Sequence, residues 1–336
     1  PTFSLRNTTD PMTDTNSHNP AAGGTCTRRR WLRGLGAAAA CLPVILRSPR
    51  LRADDPTDAG ENRVVVDTHL HCFAGAGNAR FPYHPRGPYQ PQAEATPEHL
   101  LSCMNGAGVD FAVVVHPEPY QDDHRYLEHC LDVGAGRLKG TCLFFADRPE
   151  SLREMPRFLS RNRNRIVAAR LHAYAPNRLP PFGTKQLDQL WGTAAEFGIA
   201  MQIHFEPRYA QALDHYVRKY PSTRVIIDHL GRPMQGTPEE HAVVLKWSEL
   251  PHTIMKLSSI PSRDNYPHRD VAPIIKSLTE AWGADRLIYG GGFSSRATPQ
   301  SYRAYREHLR THLSHLSEED QSKIFGANAV RIFGFA

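Results

Sequence analysis

From residue 64 onward, short apolar runs recur along the chain, and segments with helical spacing of apolar residues fill the intervals between them. The strand-like runs are Val64 to Asp67, Phe111 to Val115, Gly140 to Phe145, Ile166 to Leu171, Ala200 to Ile203, Val225 to Asp228, Thr253 to Leu257 and Arg286 to Tyr289. Helices are predicted over Pro97 to Asn105, Tyr126 to Val133, Glu150 to Leu159, Lys185 to Phe197, Pro207 to Tyr220, Glu239 to Leu250, Val271 to Trp282 and Gln300 to His312. Eight strand–helix alternations predict a single (β/α)8 TIM barrel, spanning residues 54–336. A doubly wound open sheet fits less well, because no Gly-rich dinucleotide fingerprint follows the first run.

Histidine stops five of these runs: His69 and His71 after the first, then His116, His172, His204 and His229. Alternate residues of a strand share a face, so His69 and His71 can reach one point, as a metal-ligand pair would. A barrel gathers the C-terminal ends of its strands around one mouth, and imidazole at five of those ends predicts a site there. Arg170 precedes His172 by two positions; both are expected to face inward, the guanidinium suited to a substrate carboxylate or to an interior salt bridge. Lys256 ends the seventh run, as a holder of a substrate oxygen or a structural group. The Pro-rich stretch Phe73 to Ala95 follows the first strand and reads as a lid or substrate wall, or as a solvated loop.

Charge is distributed unevenly. The net +6 arises wholly in residues 1–53, which hold eight Arg and two Asp, while the remainder carries 32 basic and 32 acidic side chains. A neutral barrel offers no electrostatic argument for nucleic acid, and a small-molecule substrate is expected instead. Thr27-Arg28-Arg29-Arg30-Trp31-Leu32-Arg33 resembles the twin-arginine export motif and precedes an apolar stretch, Gly34 to Leu46, too short for a transmembrane span. Residues 1–53 therefore read as a disordered N-terminus with a signal segment, and the processed protein as periplasmic with no stable membrane insertion. Cys72, Cys103, Cys130 and Cys142, with no Cys-X-X-Cys pair, read as free thiols.

Four segments carry a family resemblance: Asp67-Thr68-His69-Leu70-His71, Ile227-Asp228-His229-Leu230-Gly231-Arg232-Pro233, Lys256-Leu257-Ser258-Ser259 and Phe325-Gly326-Ala327-Asn328-Ala329. Together they resemble the amidohydrolase-related family, particularly its sugar-lactone and pyrone-dicarboxylate lactonase branch, over Val64 to Phe333. The resemblance implies a barrel hydrolase that binds a divalent ion on His69, His71, His204 and a strand-eight aspartate, with His229 assisting water or substrate. Zn, Fe, Ni or Cu would suit such imidazoles. The family's last strand reads Gly-Ser-Asp before an aromatic residue, whereas this chain has Gly290-Gly291-Gly292-Phe293.

Gly292 thus stands where the resemblance implies a metal ligand or general base. Glu206, two residues beyond His204, is the expected substitute if strand five continues, and Glu118 stands likewise beyond His116. The competing role for Glu206 is at the start of the next helix. An aspartate restored at 292 would face His69 and His71, unless Gly290 to Gly292 form a turn with positive φ. Opening of a cyclic ester or amide by water is the expected reaction; nonoxidative decarboxylation on the same barrel and binding without turnover are the alternatives.

Overall fold

The computed structural model describes residues 63–261 and 270–336, so the segment expected to direct export lies outside the described residues. Eight parallel strands are hydrogen-bonded in chain order: β1 (Val66–Leu70), β2 (Phe111–Val115), β3 (Leu138–Leu143), β4 (Ile166–Ala173), β5 (Ala200–Phe205), β6 (Val225–Ile227), β7 (Thr253–Leu257) and β8 (Leu287–Tyr289). The principal helices between them are α1 (Pro97–Ala107), α2 (Arg125–Gly134), α3 (Pro149–Arg161), α4 (Lys185–Glu196), α5 (Ala210–Lys219), α6 (Pro238–Lys246), α7 (Ala272–Trp282) and α8 (Pro299–His312). The expected (β/α)8 barrel is the observed fold.

Three helices open on Thr-Pro. Thr96, Thr237 and Thr298 accept the first-turn N–H groups of His99, Glu240 and Ser301, and the following proline sits where no N–H is needed. Each such cap stabilises its helix by about 1 kcal/mol. The helices after β1, β6 and β8 consequently begin at defined points, fixing the loops that reach the mouth.

Val66, Val113, Ala168, Ala200, Ile226, Ile254 and Ile288 fill the lower interior, where Ile332, Phe333 and Phe335 from the C-terminal segment plug the barrel. Two residues further along the strands the interior turns polar, with Arg170 beside Gln202 across β4 and β5, Asp228 after β6 and Lys256 on β7. One step higher His172 pairs in register with His204. The period of two thus raises each strand from an apolar floor through a charged layer to imidazole.

Strand β1 breaks that period. Asp67 pairs with Ala112 but Leu70 with Val114, so β1 holds one extra residue, a bulge. It lets Val66 fill the floor while His69, three residues on, also turns inward. Between β8 and β1 the barrel is tied by Thr68 Oγ1, which donates to Tyr289 O at 2.6 Å, and by Gly291 N–H, which donates to Asp67 Oδ1 at 2.7 Å. Tyr302 on α8 donates to Asp67 Oδ2 at 2.6 Å, and His69 N–H to Asp67 Oδ1 at 2.9 Å. Burial pushes the Asp67 carboxyl up to about 6, against those donors and Lys256.

Candidate active site

Asp228 is the hub of the charged layer. Its side chain is fully buried; Arg170 Nη2 and Nε approach Oδ2 at 3.1 and 3.2 Å, Gln202 Nε2 donates to Oδ2 at 2.9 Å, and Lys256 Nζ lies 3.2 Å from Oδ1. Burial alone would raise its pKa, but Lys256, His69 and Arg170 outweigh burial and hold it well below the usual carboxylate range. Burial lowers Lys256, with Asp228 opposing. Two buried cations therefore converge directly on one carboxylate, a local excess of positive charge beneath the mouth.

Above this layer the imidazoles form a continuous arc. Ring centroids stand 5.2 Å apart for His71 and His69, 4.4 Å for His69 and His229, 5.1 Å for His229 and His204, and 5.3 Å for His204 and His172. Burial lowers all five; His71 and His229 are pushed down to about 3. All five are neutral at pH 7.

Their partners distinguish them. His71 Nδ1–H donates to Val115 O at 2.7 Å, which leaves its Nε2 lone pair for the mouth. Arg232 Nη1 donates to His204 Nε2 at 2.8 Å, so that lone pair is already engaged, and the guanidinium covers the Tyr174 ring at 5.4 Å. His229 Nδ1 lies 2.9 Å from Ser258 Oγ, and His69 Nδ1 lies 3.4 Å from Lys256 Nζ and 3.5 Å from Asp228 Oδ1. His172 Nδ1 lies 2.8 Å from Glu118 Oε1, while Tyr174 and Arg178 donate to Glu118 Oε2.

Several expected positions resolve differently. His116 follows Val115 by one residue and leaves the interior: its Nε2–H donates to Gln121 O at 2.9 Å and its ring packs 4.4 Å from His124. Strand parity, set by Val113 in the barrel floor, puts His116 outside the mouth. Glu206 caps a short 3₁₀ turn and pairs with Arg208. Arg170 takes the interior salt-bridge role, held by Asp228 and 4% exposed. Sequence reasoning passed over Asp228 as a site group, although it lies two residues beyond inward Ile226, and it ranked Glu118 behind Glu206, whereas Glu118 is the one that reaches His172.

Gly292 has φ +107, and a Cβ there would approach Tyr302 Cδ2 to 2.9 Å and Tyr305 Cβ to 3.0 Å. A side chain at 292 would therefore meet α8, contrary to the expectation that an aspartate would face His69 and His71. The same segment makes a close approach at Gly290, whose added Cβ would lie 2.7 Å from His69 N and Cβ. Strain also gathers after β6, where His229, Leu230 and Arg232 all have positive φ, between 53 and 60°. Non-glycine residues adopt such angles at a cost, and here the cost aims His229 and Arg232 across the mouth.

The loop Phe73 to Ala95 is closed at its base by a reciprocal backbone pair between its two ends. His84 N–H donates to Pro119 O, and Ala74 N–H to Tyr120 Oη at 2.8 Å, so the loop is fastened to the segment that bears Glu118. Tyr89 from this loop is 43% exposed as a residue, while desolvation of its hydroxyl and then Glu118 push it up to about 12, with Arg170 and Arg178 opposing.

The profile of the family described as Amidohydrolase matches residues 66–335, the whole barrel. The chain belongs to the amidohydrolase family. This amidohydrolase is 25% identical over 291 residues to an L-fucono-1,5-lactonase from Burkholderia ambifaria, an alignment covering 80% of this chain and 94% of the relative. Among solved structures it resembles a probable 2-pyrone-4,6-dicarboxylic acid hydrolase from Acinetobacter baumannii, with a TM-score of 0.67, 19% identity, and coverage of 81% of this chain and 99% of that one. It also resembles an amidohydrolase from Burkholderia multivorans solved with bound zinc, with a TM-score of 0.63, 14% identity, and coverage of 81% and 100%. Those two likenesses establish the fold. Membership of the family makes the chain a hydrolase.

A divalent ion has one candidate position among the described residues. Ligand atoms of His69, Asp228 and His229 all lie within 4.8 Å of one another. Asp228 Oδ1 is buried and accepts no hydrogen bond from the described residues, and neutral imidazoles suit an ion such as zinc. The set differs from the expected His69, His71 and His204, because Arg232 already engages His204 Nε2. An ion would have to displace Lys256 Nζ, which lies close to both Asp228 Oδ1 and His69 Nδ1.

Proposed function

We propose that this amidohydrolase opens a cyclic ester, a lactone of a small sugar acid or related hydroxy acid, by attack of water on the ring carbonyl. The observation that carries this reading is the charge layer: Lys256 and Arg170 share the single carboxylate of Asp228 beneath neutral imidazoles. Water attack turns a neutral carbonyl into an oxyanion, and a preorganised excess of positive charge stabilises that state more than the ground state. The lactonase relative supports a 1,5-lactone as the substrate class.

Within the mouth, His69, His71 and His229, the last hydrogen-bonded to Ser258, contact the substrate above this layer. Tyr89, Arg178 and Arg232 form the outer wall and favour a substrate with hydroxyl or carboxylate groups. A divalent ion held by His69, Asp228 and His229 would supply Lewis-acid polarisation of the carbonyl. The Thr27 to Arg33 segment supports export to the periplasm. No helix of the described residues is long and apolar enough to cross a membrane.

Proton release by the purified full chain from a panel of 1,4- and 1,5-aldonolactones and 2-pyrone carboxylates tests the reading. Carbon dioxide release from hydroxybenzoates is followed in parallel. Turnover confined to lactones is expected; decarboxylation alone, or binding of lactones without turnover, would replace the hydrolytic reading.

A further inference from the structure

The glycine at 292 leaves the base for water unassigned, and most carboxylates near the mouth are committed. Asp228 is held by Lys256, Arg170 and Gln202, Asp67 receives three donors at the β8–β1 seam, and Glu206 pairs with Arg208. Glu118 is different. It is buried at the end of β2, with Oε1 at 2.8 Å from His172 Nδ1 and Oε2 occupied by Tyr174 and Arg178.

His172 lies two positions beyond inward Arg170 and in register with His204, so its ring belongs to the arc. Both of its ring nitrogens are buried without a hydrogen bond among the described residues, Nδ1 although it lies 2.8 Å from Glu118 Oε1, and Nε2 with no carboxylate beside it. Buried polar nitrogens are rarely left unmatched, and one facing a substrate mouth calls for a water or a ligand. The other imidazoles lack this combination: His204 Nε2 is engaged by Arg232, His71 has a carbonyl behind Nδ1, His229 has a hydroxyl, and the carboxylate near His69 is 3.5 Å away and shared with two cations.

We infer that His172, oriented by Glu118, is the general base that activates water, in the role the strand-eight carboxylate would otherwise fill. The inference rests on the lactone reading. A carboxylate oxygen 2.8 Å from Nδ1 favours a proton on that nitrogen, and so the tautomer whose Nε2 carries the lone pair. Nε2 takes one proton from water as the water oxygen bonds to the carbonyl carbon. The tetrahedral intermediate then breaks its bond to the ring oxygen, which receives that proton from the imidazolium, leaving a hydroxy acid and neutral His172. Glu118 is the positioning residue and supports the transient positive charge.

The test has a substrate-free arm and a kinetic arm, both on the full chain. Long-range ¹H–¹⁵N NMR at pH 7, with the His172 signals assigned by their loss in His172→Ala, should show the neutral Nδ1–H tautomer, and Glu118→Gln should reduce its population. On the best lactone, His172→Ala should lower kcat about 100-fold or more with KM within about threefold, as for loss of a general base. Added imidazole should restore part of kcat, which a structural role would not allow. Glu118→Gln should lower kcat by a smaller factor without imidazole rescue. An Nε2–H tautomer in the parent overturns the inference whether or not any lactone is a substrate, and so does a folded His172→Ala that keeps its kcat. The Nδ1–H tautomer in a parent that hydrolyses no lactone upholds the oriented base and sinks the lactone reading alone.

Discussion

Lys256 Nζ lies 3.2 Å from Asp228 Oδ1 and 3.4 Å from His69 Nδ1, so an ammonium stands between two of the three groups able to hold a metal ion. Cation and ion compete for the same lone pairs. Lys256→Met should cost about 3–5 kcal/mol of stability, the usual result of breaking a buried pair. It should also remove the competitor. Zinc is expected to raise the melting temperature of the variant more than that of the parent, in keeping with about 2.7 kcal/mol for a ligand at 100 times its Kd. Equal zinc responses in both proteins would show that Lys256 does not guard the site.

Tyr302 donates to a carboxylate whose pKa is raised to about 6. Asp67 is thus protonated more readily in the folded than in the unfolded chain, so its titration favours the folded state at low pH and loses that contribution as pH rises through about 6. The Tyr302 hydroxyl offsets part of the loss by stabilising the ionised form. Tyr302→Phe should cost about 1.5–3 kcal/mol at pH 8 and clearly less at pH 5, measured by urea unfolding. A cost independent of pH would mean that Asp67 stays in one protonation state throughout.

At Gly292 the backbone angle and the two α8 tyrosines both oppose a side chain. Gly292→Asp should destabilise the protein by at least about 1–3 kcal/mol and bring no gain in zinc affinity. Calorimetric titration together with a melting curve decides the matter. A stable variant with tighter zinc binding would return the carboxylate to the mouth.

Much of the barrel was readable from periodicity. Phe111 to Val115 and Thr253 to Leu257 are strands with the predicted bounds, and helix starts agree to within one residue wherever Thr-Pro marks them, although the helix from Pro238 stops at Lys246, short of the predicted Leu250. The arc of His69, His71, His172, His204 and His229 also followed from strand ends. Ending a strand, however, does not fix which way a side chain points: His116 ends β2 but faces outward, while the bulge in β1 turns His69 inward three residues after Val66. Glu118 was named by parity with His116, yet His116 faces outward, and it is a 3₁₀ turn, with no periodicity to read, that carries Glu118 back to His172. The role of Asp228 emerges only when Lys256, Arg170 and Gln202 from three other strands meet it.

The proposed export signal, Thr27 to Arg33, makes a separate prediction. Replacing Arg28, Arg29 and Arg30 with Lys keeps the charge but removes the guanidinium pair, and should hold the protein in the cytoplasm with the barrel folded. Cell fractionation reads the outcome directly, and unchanged export would remove the twin-arginine assignment.

Oxygen-18 water most directly tests hydrolysis at this mouth. With a 1,5-aldonolactone as substrate, the protein should release one proton per turnover and place one ¹⁸O atom in the product carboxylate, above the spontaneous rate; Lys256→Met should slow this by about 100-fold or more, given the roughly 2.7–4 kcal/mol typical of a lost oxyanion-stabilising group. Lactones that open no faster than in buffer, together with carbon dioxide released from an aromatic acid, would contradict it.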